Sequence, residues 1–194
     1  MKRGEIIYRE MLYQAMEKKN RVLTQSSLSK DLQISLSMVH KALSPLRNMG
    51  AIEVHQRNFH VIDIKKILYY WASVRNIKKD VLYATRTNLP VKEIERLMPD
   101  TINFGAYSAY KLTFDDVPAD YSEVYVYGTE ELKERFPEQK GIPNLFVLHQ
   151  DPLQKKYGKM TTLAQTFVDL WNLKEWYAKE FVNALEKKLN AILE

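Results

Sequence analysis

The chain of 194 residues contains no cysteine. This absence excludes disulfide bonds, thiolate zinc sites and cysteine nucleophiles. Glycine is scarce, with six residues, and the sequence has no phosphate-binding glycine loop, zinc-protease histidine pair or G-x-S-x-G turn. The four histidines have no carboxylates at ligand spacing. We therefore predict that the protein is not an enzyme, with no catalytic residue, no cofactor and no bound metal.

Long apolar segments are also absent. No run approaches the roughly 18 apolar residues needed to span a bilayer, and the N-terminal MKRGEIIYREM lacks the apolar block of a secretory signal. Hydrophobic residues still make up 45% of the chain, which is enough for a packed core. We predict a globular, cytoplasmic protein with no membrane partner.

Positive charge is concentrated in the N-terminal part of the chain. Residues 1–75 hold 13 Lys or Arg and 6 acids, a net charge of +7, whereas the remainder holds 16 and 18, a net charge of −2. Clustered positive charge attracts phosphate backbones. The distribution fits a nucleic-acid partner for the N-terminal part, and a solvated basic surface is the alternative.

The spacing of apolar residues predicts three helices in this part. The first covers residues 5–19, and Thr24 can cap a short second helix. Ser35 can cap a third helix, whose inward face carries Val39, Leu43 and Leu46. The outward face of the third helix is formed by Leu36, Ser37, His40, Lys41 and Ser44.

Pro45 lies inside the third helical pattern, and two interpretations are open. In a continuous helix Pro45 cannot donate to the carbonyl of Lys41 and crowds it, which costs about 3 kcal/mol unless the helix bends. Alternatively, Ser44 caps and Pro45 opens a new short helix. Because the inward spacing from Leu43 to Leu46 is unbroken, we expect one bent helix.

Gly50 is a typical helix terminator, and the segment AIEVHQRNFHVI after it predicts strands at residues 52–55 and 59–62 around a Gln56-Arg57-Asn58 tip. Helix, helix, turn, helix and hairpin is the order of a winged helix-turn-helix. The segment LTQSSLSKDLQISLSMVHKALSPLRNMGAIEV resembles the MarR-like regulators of bacteria and archaea. We predict a winged helix-turn-helix DNA-binding domain over residues 1–62.

This resemblance implies that the third helix lies in the major groove and reads base edges from its first turns. The start of the second helix is expected to hold a backbone phosphate through its free N–H groups. The wing tip is expected to reach flanking phosphates or the minor groove, with Arg47 turned toward it. The predicted DNA-binding residues are Gln25, Ser26, Ser35, Ser37, His40, Lys41, Ser44, Arg47, Arg57 and Asn58.

Simpler roles remain open for some of these residues. Ser26 and Ser37 are also suited to satisfying helix ends, and His40 to an ordinary exposed position. Winged helices also serve purely as protein-binding modules.

The rest of the chain alternates between helical and strand patterns. Residues 63–79 predict an amphipathic linking helix. Strands are then predicted in DVLYATRT, SEVYVYG and NLFVLHQ, and helices in PVKEIERLMP and TEELKERF, the latter capped by Thr129. We predict a small α/β domain over residues 80–194 that ends in two helices joined near Asn172, so that the whole chain is mixed α+β.

The last helix carries an apolar stripe that fits either a core or a dimer seam. Its residues are Trp176, Phe181, Leu185, Leu189 and Ile192.

The C-terminal part resembles the second domain of AbiEi-type antitoxins of type IV toxin-antitoxin systems. The similar positions are Ser108-Ala109-Tyr110 with Leu112, residues 124–127, and Thr166-Phe167-Val168-Asp169. The resemblance implies a protein that represses its own operon by binding operator DNA and that opposes a toxin encoded beside it.

The leading hypothesis is a sequence-specific, double-stranded DNA-binding transcriptional regulator that acts as a repressor. We expect a homodimer, because two half-sites increase affinity and discrimination. The alternative is an antitoxin or protein-interaction module of AbiEi type that neutralises a partner toxin.

Overall fold

The computed structural model describes the backbone of residues 1–193 and the side chains of residues 1–190. The fold is mixed α+β, as predicted, with helices and two small sheets. The chain divides into two compact units. Unit 1 is Met1–Arg75 with the end of the last helix from Lys188, and unit 2 is Asn76–Lys187. The predicted domain end at Glu194 and the side chain of Ile192 lie outside the described residues.

Unit 1 combines four helices of its own with a three-stranded sheet. Its elements are α1 (Arg3–Met16), β1 (Val22–Leu23), α2 (Gln25–Leu32), α3 (Leu36–Asn48), β2 (Ile52–Val54), β3 (Phe59–Val61) and α4 (Ile64–Val74). β3 is the central strand and pairs antiparallel with β1 and β2. The sequence does not predict β1, because two residues are too few to show an alternating pattern.

The core of unit 1 forms where α1 packs against α3 and α4. Met11 of α1, Leu46 of α3 and Trp71 of α4 are fully buried there. Glu5 of α1 is also buried. Its Oε2 accepts two hydrogen bonds, one from Trp71 Nε1 and one from Arg75, each at 3.2 Å. A buried carboxylate with these donors links α1 to α4 by polar as well as apolar contacts.

α3 continues without interruption through Pro45 and ends at Asn48. The interpretation of one helix is therefore confirmed, and the alternative, in which Ser44 caps a second helix, is wrong. Val39, Leu43 and Leu46 are buried as predicted. The bend expected at Pro45 stays a prediction.

Unit 2 is built on a four-stranded sheet in the order β4-β7-β6-β5, in which β6 and β7 are parallel and the outer pairs are antiparallel. Its elements are β4 (Val81–Thr85), α5 (Val91–Arg96), β5 (Asn103–Gly105), α6 (Ala106–Phe114), β6 (Val124–Gly128), α7 (Leu132–Arg135), β7 (Leu145–His149), α8 (Leu163–Trp171) and the part of α9 (Trp176–Leu193) that precedes Lys188. Short 3-10 helices lie at Ile77–Asp80 and Gln154–Tyr157.

Two details of unit 2 differ from the predictions. Thr129 does not cap α7, because the helix begins only at Leu132, with Glu131 at the N-cap position and no side-chain cap. Thr129 lies one turn earlier, where its carbonyl accepts the Leu132 N–H at 3.3 Å. Trp176, expected on the apolar stripe of α9, is 74% exposed, since it stands at the first position of that helix. The stripe residues Phe181, Leu185 and Leu189 are buried within the chain, which favours a core over a dimer seam.

Most residues of the segments at positions 108–112, 124–127 and 166–169 lie in the core of unit 2. Ser108, Ala109 and Tyr110 are buried in α6, which packs against α8. The hydroxyl of Tyr127 in β6 donates to the carboxylate of Asp169 in α8, and both residues are fully buried. These segments therefore build the interior of unit 2, with the exception of Leu112, which is 45% exposed.

Candidate nucleic-acid interface

The polar residues at the start of α2 are placed by a helix cap. Thr24 precedes α2, and its Oγ1 accepts the Ser27 N–H at 3.0 Å, as its position in the sequence predicts. Ser27 returns a hydrogen bond to the Thr24 carbonyl at 3.0 Å. Ser27 is therefore occupied by the cap, whereas Gln25 and Ser26 stand in the first turn, where backbone N–H groups have no partner within the helix.

A three-residue turn fixes α3 relative to α2. Gln33 takes a left-handed conformation with φ 53° and ends α2, and Ser29 donates to the carbonyl of Ile34 at 2.7 Å. Ser35 then caps α3 by accepting the Met38 N–H at 3.3 Å. Ile34 is buried, so the turn is held by a hydrogen bond and by packing together.

The outward face of α3 is polar and free of internal partners. Ser37, His40 and Lys41 are exposed and Ser44 is half-buried. Within the part of the chain the structure describes, none of these four side chains makes a hydrogen bond or ion pair. Their spacing of three and four residues puts them along one side of the helix.

A narrow cleft joins this face to α2 and to the sheet. Residues from all three elements line it, namely Gln25, His40, Leu43, Ser44, Arg47 and Val54. The cleft thus gathers four of the ten predicted DNA-binding residues at one place on unit 1. Its volume of about 20 Å³ holds no more than one water molecule. The cleft is therefore a shallow groove in the surface and not a ligand pocket.

The β2–β3 hairpin carries the remaining candidates. Its turn is closed by the His55 N–H, which donates to the Asn58 carbonyl at 2.8 Å. Arg57 is exposed at the tip. Asn58 is half-buried, and its Oδ1 is out of contact with solvent and without a donor among the described residues. The amide nitrogen of Asn58 is therefore the group of this side chain that is left to meet a partner.

The two histidines of the hairpin interact with each other and with an acid. The rings of His55 and His60 lie 4.7 Å apart between centroids, and His55 Nε2 is 3.7 Å from the Glu53 carboxylate. This arrangement gives the cross-strand structural role that such residues commonly have in hairpins. The described residues include no group of three or more histidine, aspartate or glutamate side chains suited to a metal ion.

The cations of this surface have no anionic partner. Lys41 and Arg47 on α3 and Arg57 on the hairpin make no ion pair with any residue whose side chain is described. Two acids of unit 1 interact with other groups: Glu5 is buried against Arg75, and Asp63 caps α4. The surface therefore presents uncompensated positive charge, as the composition of residues 1–75 suggests.

Two apolar residues on this surface were not among the predicted site residues. Leu36 in the first turn of α3 is 53% exposed, and Val54 at the end of β2 is 40% exposed. Strand alternation puts Val54 on the same side as the buried Ile52, so the sequence indicates an interior position for it. Val54 is nevertheless exposed at the last position of β2, where it pairs with the fully buried Phe59 of β3.

No helix among residues 1–193 is long and apolar enough to cross a membrane. No protein-family model, curated protein or solved structure matches the chain.

Proposed function

We propose that unit 1 is a winged helix-turn-helix domain that binds double-stranded DNA in a sequence-specific way, and that the protein is a transcriptional repressor. The observation that carries the proposal is the outward face of α3, whose polar and cationic side chains are exposed and have no internal partner. Arg47 on the same helix and Arg57 on the neighbouring hairpin add two exposed cations without an ion-pair partner among the described residues.

Each element then has a role set by the groove it meets. α3 is the recognition helix, and Ser37 to Ser44 covers about 10 Å of its length, which fits the major groove of B-DNA, about 12 Å wide. His40 and Lys41 offer donors to base edges, and a lysine pairs well with guanine O6 and N7. Leu36 offers an apolar contact to a thymine methyl group.

Contacts to the phosphate backbone flank the recognition helix. The first turn of α2, with Gln25 and Ser26, directs unpaired N–H groups toward a phosphate on one side. The β2–β3 hairpin is the wing, and Arg57 reaches a phosphate or the minor groove on the other side. These contacts fix register and orientation, whereas those of α3 supply discrimination between sequences.

The repressor acts as a homodimer in this proposal. A single recognition helix contacts few base pairs, and two half-sites about one helical turn apart increase both affinity and specificity.

A second candidate function is a protein-binding module of AbiEi type that neutralises a toxin. The exposure of Leu36 and Val54 favours it, because exposed apolar side chains are candidates for contact with a partner protein. Phosphate contacts distinguish the two functions, since DNA binding depends steeply on salt.

The test is a mobility-shift titration with DNA from upstream of the protein's own gene and with a scrambled duplex of the same length. We expect Lys41→Ala and His40→Ala to reduce the preference for the upstream DNA, each by about tenfold, the equivalent of one lost base contact. Arg57→Ala is expected to weaken binding to both duplexes equally.

Lys140→Ala is the matched control, because Lys140 is an exposed lysine of unit 2 and its loss removes the same charge. If all four variants lose affinity equally on both duplexes, the assignment of α3 as the recognition helix is wrong.

A further inference from the structure

Unit 2 contains a cavity beside its sheet whose wall is largely apolar. Its volume is about 330 Å³, and all of its lining residues belong to unit 2. Two of them, Tyr125 of β6 and Phe146 of β7, stack with their ring centroids 4.6 Å apart and their planes inclined by 8°. Leu173 and Ile142 also line the cavity. A wall of this kind suits an apolar side chain, because its burial removes apolar area from water.

Large apolar side chains are exposed beside this cavity. Ile142, one of the lining residues, is 85% exposed. A tryptophan stands at each end of the lining stretch 172–175. Both Trp171 and Trp176 are exposed, although tryptophan is mostly buried in folded proteins. Exposed apolar residues grouped in this way mark an interaction surface.

The ring of Trp176 is held next to the cavity wall. It lies edge-on to the ring of Tyr177, with centroids 5.5 Å apart. The Tyr177 hydroxyl donates to Glu123, which lines the cavity. An indole held in this way loses little conformational freedom on contact with a partner, and tryptophan is enriched among the residues that dominate interface energetics.

Charged side chains of both signs line the same cavity, and their charges balance. They are Lys78, Lys174, Glu123 and Glu175. Neither lysine makes an ion pair within the described part of the chain. A strongly charged partner would meet as much repulsion as attraction here, whereas a second copy of the same surface offers a carboxylate for each lysine. The charge pattern therefore fits a copy of this chain.

Net charge also favours unit 2 over unit 1 for self-association. Residues 76–187 hold 15 Lys or Arg and 17 acids, a net charge of −2, whereas residues 1–75 carry +7. Two copies that met through residues 1–75 would bring together two basic surfaces that repel each other.

We propose that the cavity, together with Ile142, Trp171 and Trp176, forms the homodimer interface of the protein. In a two-fold symmetric pair the same surface meets itself, so Ile142 or Trp176 of one copy enters the cavity of the other. The surface carries both a protruding apolar side chain and a recess for it, which a self-complementary interface requires. The expectation of a homodimer rests on the proposed function, whereas the interface itself forms without DNA.

The test is sedimentation equilibrium of the full chain without DNA. We expect a mass that rises with protein concentration toward twice the chain mass of 22.8 kDa. Ile142→Asp is expected to raise the dimer dissociation constant by at least about tenfold, because each copy then places a carboxylate in apolar surroundings. Leu112→Asp is the matched control, because Leu112 is an exposed apolar residue of unit 2 that does not line the cavity.

Trp176→Ala provides a second variant that adds no charge. Its side chain is mostly exposed, so the fold does not depend on it, and its loss is expected to weaken dimerisation by about tenfold. A monomer mass at every concentration, unchanged dimer affinity in both Ile142→Asp and Trp176→Ala, or an equal loss in Leu112→Asp would each overturn the proposal. A monomer that still binds the upstream duplex would overturn this interface and leave DNA binding by unit 1 in place.

Discussion

The salt dependence of DNA binding follows from the number of free cations on the surface of unit 1. Lys41, Arg47 and Arg57 have no ion-pair partner among the described residues. If Arg47 and Arg57 each neutralise one phosphate and Lys41 contacts a base edge, the slope of log affinity against log salt is about −1.8 for one protomer and about −3.6 for a dimer. Raising salt from about 50 to about 200 mM should then lower affinity by about 12-fold for one protomer and about 150-fold for a dimer.

The perturbation that isolates one of these contacts is Arg57→Ala. It should make the slope shallower by about 0.9 for each protomer bound, and by about the same amount on the upstream and scrambled duplexes. Fluorescence anisotropy with a labelled duplex at a series of KCl concentrations measures both slopes. Lys140→Ala should leave the slope unchanged, because Lys140 lies outside unit 1.

A slope near zero for the wild-type protein would refute the phosphate contacts altogether. An unchanged slope in Arg57→Ala would show that the hairpin does not touch DNA, even if the chain binds it.

Further predictions concern stability. Glu5→Gln and Arg75→Met should each lower the free energy of unfolding by about 3 kcal/mol in urea titrations, because each change disrupts a buried ion pair. The double variant should lose less than the sum of the two single losses, and additive losses would contradict this coupling. Ser35→Ala should cost about 1 kcal/mol through the lost cap, and Ser37→Ala less than about 0.5 kcal/mol; equal losses would assign Ser37 a structural role. Burial, followed by the charge of Glu138, raises the pKa of Tyr83 from 10.0 to about 12. The contribution of the Tyr83 hydroxyl to stability is therefore present below pH 10 and is lost as pH rises toward 12. Thermal melts should show this decline in stability, and Tyr83→Phe should make the decline smaller.

Local signals in the sequence predict unit 1 well. Thr24 and Ser35 cap their helices as expected, since a cap depends on residues only three positions away. Pro45 is tolerated within α3 because Leu43 and Leu46 remain buried on the inner face. Here the burial of the core residues outweighs the unfavourable helix propensity of one proline.

Long-range partners explain what the sequence does not predict. Glu5 meets Trp71 and Arg75 across separations of 66 and 70 residues, which no local pattern encodes. The strands β1 and β5 have two and three residues, so their pairing depends on neighbouring strands that are already in place. Thr129 has the sequence context of a cap, but the chain first makes a turn, so that α7 begins at Leu132 with Glu131 at the N-cap position.

Candidate site residues are predicted by type and are brought together only by the fold. Periodicity gives the outward face of α3, including His40 and Lys41. The cleft that adds Gln25 and Val54 to that face needs the packing of α2 and β2 against α3. A cavity of unit 2 is of the same kind, because its lining residues, which include Glu123, Phe146 and Glu175, come from four separate stretches of the chain.

The central claim is that α3 and the β2–β3 hairpin face DNA. Its most direct test is the change in backbone amide NMR signals on titration with a duplex from upstream of the protein's own gene, and with a scrambled duplex. We predict that the largest changes fall at Gln25, Ser37, His40, Lys41 and Arg57, and that those on α3 are larger with the upstream duplex. Changes confined to residues 76–187, or no change with either duplex at low salt, would contradict the claim.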